Sequence, residues 1–343
     1  MQWDVFCRVI DNWGDIGVCW RLAAQLAARG QQVRLWVDDP SALVWMAPGA
    51  LEGRWPGVAV LRWEPWDKAP PGQPPHGSCE VLVEAFGCEI EPARVQWLVS
   101  SAPRPVWLNL EYLSAEPYVE RSHGLPSPVM TGPLAGWTKW FFYPGFTERT
   151  GGLLRDDAGC AEVPQVHELA QDPAQGFLFC YEPVALPDLA RLSRELGLHW
   201  RVAAGRATAA VQKAAEWQAL PCQFLPLMEQ PAFDAELRRS SINFVRGEDS
   251  LCRALWAGKP LVWQLYPQDD GAHDAKLEAF LNWLEAPEPL RQFHRIWNGL
   301  EQGPLPRPDL PAWGACVAAA RARLLAQEDL CTRLLAFVAS KVP

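Results

Sequence analysis

The sequence predicts an α/β fold made of two Rossmann-like halves. Three observations carry that expectation. Short apolar, β-prone segments alternate with amphipathic helical stretches, as in a parallel sheet covered on both faces. The alternation runs twice, interrupted by a stretch rich in Gly, Asp and Pro at about 145–175. The chain has 343 residues, 49% hydrophobic and 21% charged, enough apolar mass for two cores and too much for disorder.

The first half opens with an apolar segment, Trp3 to Ile10, which runs into a loop from Asp11 to Gly17. An amphipathic helix follows at about Val18 to Arg29 and is closed by Gly30, and Gln32 to Val37 reads as a second strand. This β-loop-α-β start is that of a Rossmann half. Further strands are expected at Val58 to Trp63, Val81 to Ala85 and Pro105 to Leu110, with a helix near Glu91 to Ser100. The second series starts at Gly176 to Tyr181. It continues through a helix at Pro187 to Leu196 and strands at His199 to Ala203 and Asn243 to Arg246. A helix from Ser250 to Trp256 and a strand from Pro260 to Gln264 come next. Final helices are expected at about Ala312 to Gln327 and Leu330 to Ser340. The expected domains are therefore 1–150 and 151–343, with the last helix a candidate to pack back on the first. A Pro-rich loop at 69–75 is the one biased tract.

Composition narrows the function classes. A formal net charge of −9 argues against non-specific binding to nucleic acid or to an anionic membrane. No apolar stretch approaches the roughly 20 residues of a membrane span. The ten cysteines form no CxxC pair and mostly sit in apolar runs, so they read as reduced core thiols. The start, MQWDVFCRVI, lacks the basic and apolar pattern of a signal peptide, and a cytoplasmic location is expected. The 19 Trp can serve as aromatic platforms, but core packing is the commoner use.

In open α/β sheets a ligand lies beyond the carboxyl ends of the strands, so the loops after strands hold the candidates. The first is Asp11, Asn12, Trp13, Gly14, Asp15, Ile16, Gly17. Two carboxylates four residues apart can take a proton or hold a guanidinium, and Gly14 and Gly17 can let backbone approach a ligand. A helix cap by Asp is the competing reading. The second is Arg246, Gly247, Glu248, Asp249, Ser250, where a strand meets a helix. A cation, helix N–H groups and the helix dipole suit a diphosphate there, with Ser250 on a phosphate oxygen and Glu248 on ribose hydroxyls or beside the leaving group. The alternative is an ordinary N-cap. The third is Phe179, Cys180, Tyr181 and Glu182 with Gln230 and Phe233, where aromatics and an amide can read a pyrimidine base; core packing competes. His123, His273 and the Asp269–Asp270 pair are weaker, and no ligand set points to a metal.

Two Rossmann-like halves facing a central cleft is the GT-B glycosyltransferase layout. At these residues the sequence resembles the elongation factor P arginine rhamnosyltransferases (EarP). The resemblance rests on DNWGDIGVCWRLA at 11–23, WLNLEYLSAE at 107–116, SHGLPSP at 122–128, FVRGEDS at 244–250 and WQLYPQ at 263–268. It departs at 227–234, where Leu227 replaces an aromatic residue of the family, at the edge of the expected base pocket. The resemblance implies an inverting, metal-independent transferase with no cofactor. It would move L-rhamnose from dTDP-β-L-rhamnose to an arginine of elongation factor P, its protein partner, and so activate that factor. Carried over by motif, Asp11 and Asp15 would be the acceptor-side acids, Asp15 as general base and Asp11 as orienting partner, or the reverse. Arg246, Glu248, Asp249 and Ser250 would hold the nucleotide sugar, with Phe179, Tyr181, Gln230 and Phe233 around it. A different GT-B enzyme and a non-catalytic nucleotide-sugar-binding protein are the rival classes.

Overall fold

The structure is a computed structural model of the chain that describes residues 1–10, 13–64, 79–99, 104–156, 174–266 and 272–342. The Pro-rich loop at 69–75, Cys160 and most of the 145–175 stretch lie outside the described residues. The chain divides into two compact units, Met1–Leu154 together with Gln327–Pro343, and Arg155–Ala326.

The first unit holds a seven-stranded sheet. Its strands are β1 (Gln2–Cys7), β2 (Gln32–Val37), β3 (Val58–Arg62), β4 (Val81–Ala85), β5 (Val106–Leu110), β6 (Pro126–Pro128) and β7 (Thr138–Phe142), in the order β3-β2-β1-β4-β5-β7-β6. All neighbours are parallel except the antiparallel pair β6 and β7. Strands β6 and β7 were not expected from the sequence. A three-residue edge strand with prolines at both ends leaves no periodic signal, although Pro is tolerated at an edge. The helices are α1 (Gly14–Ala28), α2 (Leu43–Met46), α3 (Pro92–Leu98) and α4 (Pro117–Ser122).

Alternation explains the strong burial of this sheet. Val5, Cys7, Val83, Ala85, Leu108 and Leu110 face α1 and share its core with Ile16, Cys19, Leu22 and Leu26. Phe6, Trp36, Leu82 and Trp107 face the other way, into a second core with Val95 and Leu98 of α3. That second face buries charge: Arg34 Nε donates to Asp4 Oδ1 at 2.7 Å, Trp36 Nε1 donates to the same oxygen at 2.6 Å, and both charged side chains are fully buried. Removing either partner would leave an uncompensated charge, at about 3–5 kcal/mol.

The second unit carries a five-stranded, all-parallel sheet of β8 (Gln175–Leu178), β9 (His199–Val202), β10 (Cys222–Phe224), β11 (Ile242–Arg246) and β12 (Leu261–Gln264), ordered β10-β9-β8-β11-β12. Its helices are α5 (Leu186–Leu196), α6 (Arg206–Lys213), α7 (Gln230–Arg239), α8 (Gly247–Ala257), α9 (Ala272–Leu284), α10 (Glu288–Trp297) and α11 (Leu310–Leu325). Trp200, Trp217, Trp297 and Trp313 are fully buried, so many of the tryptophans are core residues rather than platforms. The last helix, α12 (Leu330–Ala339), belongs to the first unit, where Leu330, Cys331, Leu334 and Val338 join the α1-side core and Asp329 takes a two-oxygen bond from Arg29.

Two helix starts differ from the sequence expectation. Helix α1 begins at Gly14 instead of Val18, and α8 begins at Gly247 instead of Ser250. Glycine and acidic residues disguised both first turns as loop, yet acidic side chains in a first turn oppose the positive end of the helix dipole and favour it. No described helix is long and apolar enough to cross a membrane.

Candidate active site

In both sheets the strand order reverses beside the first strand of the series, between β1 and β4 and between β8 and β11. The loops leaving the carboxyl ends of those strands are where open α/β sheets take ligands.

In the first unit, the chain leaves β1 at Cys7 and enters α1 at Gly14. Asp15 lies in the first turn of that helix, only 5% exposed, and its Oδ2 accepts the backbone N–H of Ile10 at 3.0 Å. The carboxyl group thus ties the loop after β1 to the helix start, nearly buried in the first turn at the positive end of the helix dipole. This is not an N-cap: the cap residue is Trp13, which makes no side-chain cap bond and packs edge-on against Trp45 at 4.9 Å. Asp11 and Asn12 lie outside the described residues. Gly14 and Gly17 are helical, which corrects the expectation of a glycine-bearing loop; Gly17 is buried and its N–H makes the first helical bond to Trp13 C=O at 3.0 Å, whereas a side chain at Gly14 would meet open space.

Beyond the neighbouring strand ends, Phe86 stacks on Tyr112 with ring centres 4.7 Å apart. Glu111, half-buried, accepts a bond from Asn109 Nδ2 at 2.6 Å, and burial raises its carboxyl above the usual range. His123 accepts the N–H of Tyr143 at 3.1 Å, and burial pushes it down to about 4, so it is a neutral structural acceptor. His273 pairs with Asp274 at 3.3 Å. Asp269 and Asp270 lie outside the described residues, and among the described ones no group of three His, Cys, Asp or Glu could hold a metal.

In the second unit, the carboxyl ends of β8 and β11 bring most of the expected residues together. Arg246 closes β11, 6% exposed, with its guanidinium 4.6 Å from the ring centres of both Phe179 and Tyr181 and Nη1 3.4 Å from the Cys180 carbonyl. Tyr181 is fixed by its own N–H, which donates to Gln264 Oε1 of β12 at 2.9 Å. Gly247 adopts φ +67°, a left-handed turn that lets the chain pass from strand to helix, and its carbonyl accepts Trp263 Nε1 at 2.8 Å. Glu248 is paired with Lys276 of α9. Ser250 is inside α8 rather than at its cap, and its hydroxyl donates back to the Arg246 carbonyl. Burial pushes the Cys180 thiol up to about 12, so it stays a neutral packing residue.

The expected base-side residues gather around Arg253, which the sequence reading missed. Arg253 Nε donates to Asp234 Oδ1 at 2.7 Å, Nη1 to Asp249 Oδ2 at 3.4 Å and Nη2 to the Gln230 carbonyl, and the guanidinium lies 5.0 Å from the Phe233 ring centre. Phe233 in turn meets Phe179 edge-on at 5.3 Å. One nearly buried cation therefore orders Gln230, Phe233, Asp234 and Asp249. Its four-residue spacing from Asp249 in a helix was a legible signal. Lys276, 28 residues beyond Glu248, left none. The arrangement offers a diphosphate a buried cation and the N–H groups of an 11-residue helix, with aromatic rings alongside for a base or sugar.

A family profile described as Elongation-Factor P (EF-P) rhamnosyltransferase EarP matches residues 3–339. The chain belongs to that family. It is 39% identical to a protein-arginine rhamnosyltransferase of Pseudomonas putida, with 98% of both chains covered, and 40% identical to one of Pseudomonas aeruginosa, with 87% of both covered. Among solved structures it resembles, at 26% identity and a TM-score of 0.62 over 99% of both chains, one described as the basis for EarP-mediated arginine glycosylation of translation elongation factor EF-P. The spinosyn rhamnosyltransferase SpnG shares the fold at 13% identity, with a TM-score of 0.56 over 99% of this chain and all of that one. The fold is GT-B, and this EarP-family chain is a glycosyltransferase, in the class of the protein-arginine rhamnosyltransferases.

Proposed function

We propose that the enzyme transfers L-rhamnose from dTDP-β-L-rhamnose to an arginine of translation elongation factor P, with inversion at the anomeric carbon. The observation that carries the donor half is Arg246, braced between Phe179 and Tyr181 where β11 enters α8. In this reading Arg246 and the first turn of α8 take the charge that builds on the departing diphosphate. Preorganised donors at such a position contribute several kcal/mol to the transition state. Glu248, Asp249 and Ser250 hold the nucleotide sugar, and Phe179, Tyr181, Gln230 and Phe233 surround it.

The acceptor half is assigned to the first unit. An arginine side chain has a pKa above 12 and is a poor nucleophile until its charge is localised and a proton is removed. Asp15 accepts that proton as the guanidino nitrogen bonds to the anomeric carbon and the carbon–oxygen bond to dTDP breaks, with Asp11 orienting the acceptor. The phosphate charge is met by protein groups, so the reading requires no metal. The nine described cysteines, all unbridged, suit a reducing cytoplasm.

Intact-mass analysis of elongation factor P after incubation with the enzyme and dTDP-β-L-rhamnose tests the reading. One deoxyhexosyl residue should be gained, localised by fragmentation to an arginine and shown by NMR to be α-linked. An unmodified factor, or a sugar on another residue type, would reject it.

A further inference from the structure

Strand alternation makes a prediction about Phe86 that the structure breaks. Val81, Val83 and Ala85 of β4 face the α1 side, and Leu82 faces the opposite core. In that register Phe86, one residue beyond the strand, should follow Leu82 and Glu84 away from α1. It instead packs against the α1-side core, because it takes a left-handed φ of +57°. Gly87 at +66° and Glu89 at +40° continue the same unusual backbone. A bulky residue adopts that region at a cost, and such strain persists where a side chain must be delivered to a particular place.

Here the place is the ring of Tyr112. Tyr112 lies two residues beyond Leu110 and so is in phase with the α1 side of the sheet, and its ring is stacked on Phe86 with planes 20° apart. Phe86 is half-buried and backs the stack, while Tyr112 remains 40% exposed. Strands β1, β4 and β5 are adjacent in the sheet. At the usual strand spacing the β5 end is about 10 Å from the β1 end, from which the loop to Asp15 departs. The stack, the first turn of α1 and the buried Asp15 carboxylate therefore share one sheet edge and one face.

We propose that the Phe86–Tyr112 stack is the platform on which the acceptor arginine lays its guanidinium beside Asp15. This rests on the functional reading above and adds two binding residues to it. A tyrosine face is the negative side of its quadrupole, and a planar, weakly hydrated guanidinium stacks on it better than a strongly hydrated ammonium does. The platform thus supplies selection for arginine over lysine, which a carboxylate alone does not give.

The test is steady-state transfer to elongation factor P by Tyr112→Leu, Tyr112→Phe and Tyr112→Lys, with melting temperatures recorded on the same samples. Tyr112→Leu should raise the acceptor KM about tenfold, the loss of one partly desolvated cation–π contact, and leave the dTDP-β-L-rhamnose KM unchanged. Tyr112→Phe should behave as wild type. Tyr112→Lys, which sets a like charge against the guanidinium, should be worse than Tyr112→Leu. A wild-type acceptor KM in Tyr112→Leu, a change confined to the donor KM, or a Tyr112→Lys no worse than Tyr112→Leu would overturn the platform alone. No transfer by the wild type would overturn the functional reading and the platform with it.

Discussion

Consider Arg253→Ala, which removes the hub of the base-side cluster. The wild-type guanidinium meets Asp234 at 2.7 Å, Asp249 at 3.4 Å and the Gln230 carbonyl, and it covers the Phe233 ring. Deleting one partner of a buried ionic network costs about 3–5 kcal/mol. The Asp234 and Asp249 side chains keep 20% and 14% exposure, so water can partly replace the lost cation and the lower end, about 3 kcal/mol, applies. For a unit of this size each kcal/mol lowers the melting point by about 2–4 °C, which gives a drop of about 6–12 °C. Asp249 and Phe233 would also lose their fixed positions, and dTDP affinity should fall about tenfold, the loss of one charge-assisted contact. Scanning calorimetry and titration with dTDP read the two effects on one sample. Arg253→Lys keeps a point charge for Asp234 but not the fork, and should fall between wild type and alanine. A melting point and a dTDP affinity both equal to wild type in Arg253→Ala would refute the hub.

Asp15→Asn should lose about 100- to 10,000-fold in single-turnover rate while keeping its affinity for dTDP, and wild-type turnover would remove Asp15 from the chemistry. Transfer should persist undiminished in EDTA; a collapse restored by magnesium or manganese would show that a metal shares the diphosphate. Arg246→Ala should weaken dTDP binding in calorimetry by on the order of 2 kcal/mol, and an unchanged affinity would move the donor site elsewhere. His294 accepts the Trp263 N–H on Nε2 at 3.0 Å, its Nδ1 is 2.9 Å from the Leu290 carbonyl, and burial pushes it down to about 4. The unfolded ring titrates near 6.5, so its contribution is intact above that pH and is lost as pH falls from 6.5 towards 4, at about 1.4 kcal/mol per pH unit. His294→Gln should reduce the measured slope in that window by about one proton's worth, and an unaltered slope would place the titration on other groups.

The central parallel strands of both sheets were legible in the sequence because they are almost wholly apolar and the helices between them are amphipathic. Edge strands are not so marked: β6, with Pro126 and Pro128 at its ends, is defined by its partner rather than by its residues. Helix starts are hidden in the sequence for a related reason. Gly14-Asp15 and Gly247-Glu248-Asp249 have turn composition, and their helicity is set by the apolar residues of the next turns. In the candidate site, contiguous motifs were visible as runs of reactive residues, whereas their supports came from afar. Gln264 fixes Tyr181 from 83 residues away, and Lys276 reaches Glu248 from another helix. Single-sequence spacing holds no trace of such pairs. The backbone reversal at Phe86 was equally hidden, since nothing in the residue type of a phenylalanine announces a positive φ.

The return of α12 to the first unit has a consequence for how the chain comes to be. During synthesis the residues of Arg155–Ala326 are all available before Leu330, Cys331, Leu334 and Val338 have been made. The second unit can therefore complete its core first, while the first waits with an open groove along α1 for its final helix. A nascent chain paused before residue 327 would expose that apolar groove to aggregation and to chaperones. A cut at the Leu154–Arg155 boundary likewise leaves the first unit without the α12 side chains of its core, which splicing α12 back on through an engineered linker would restore.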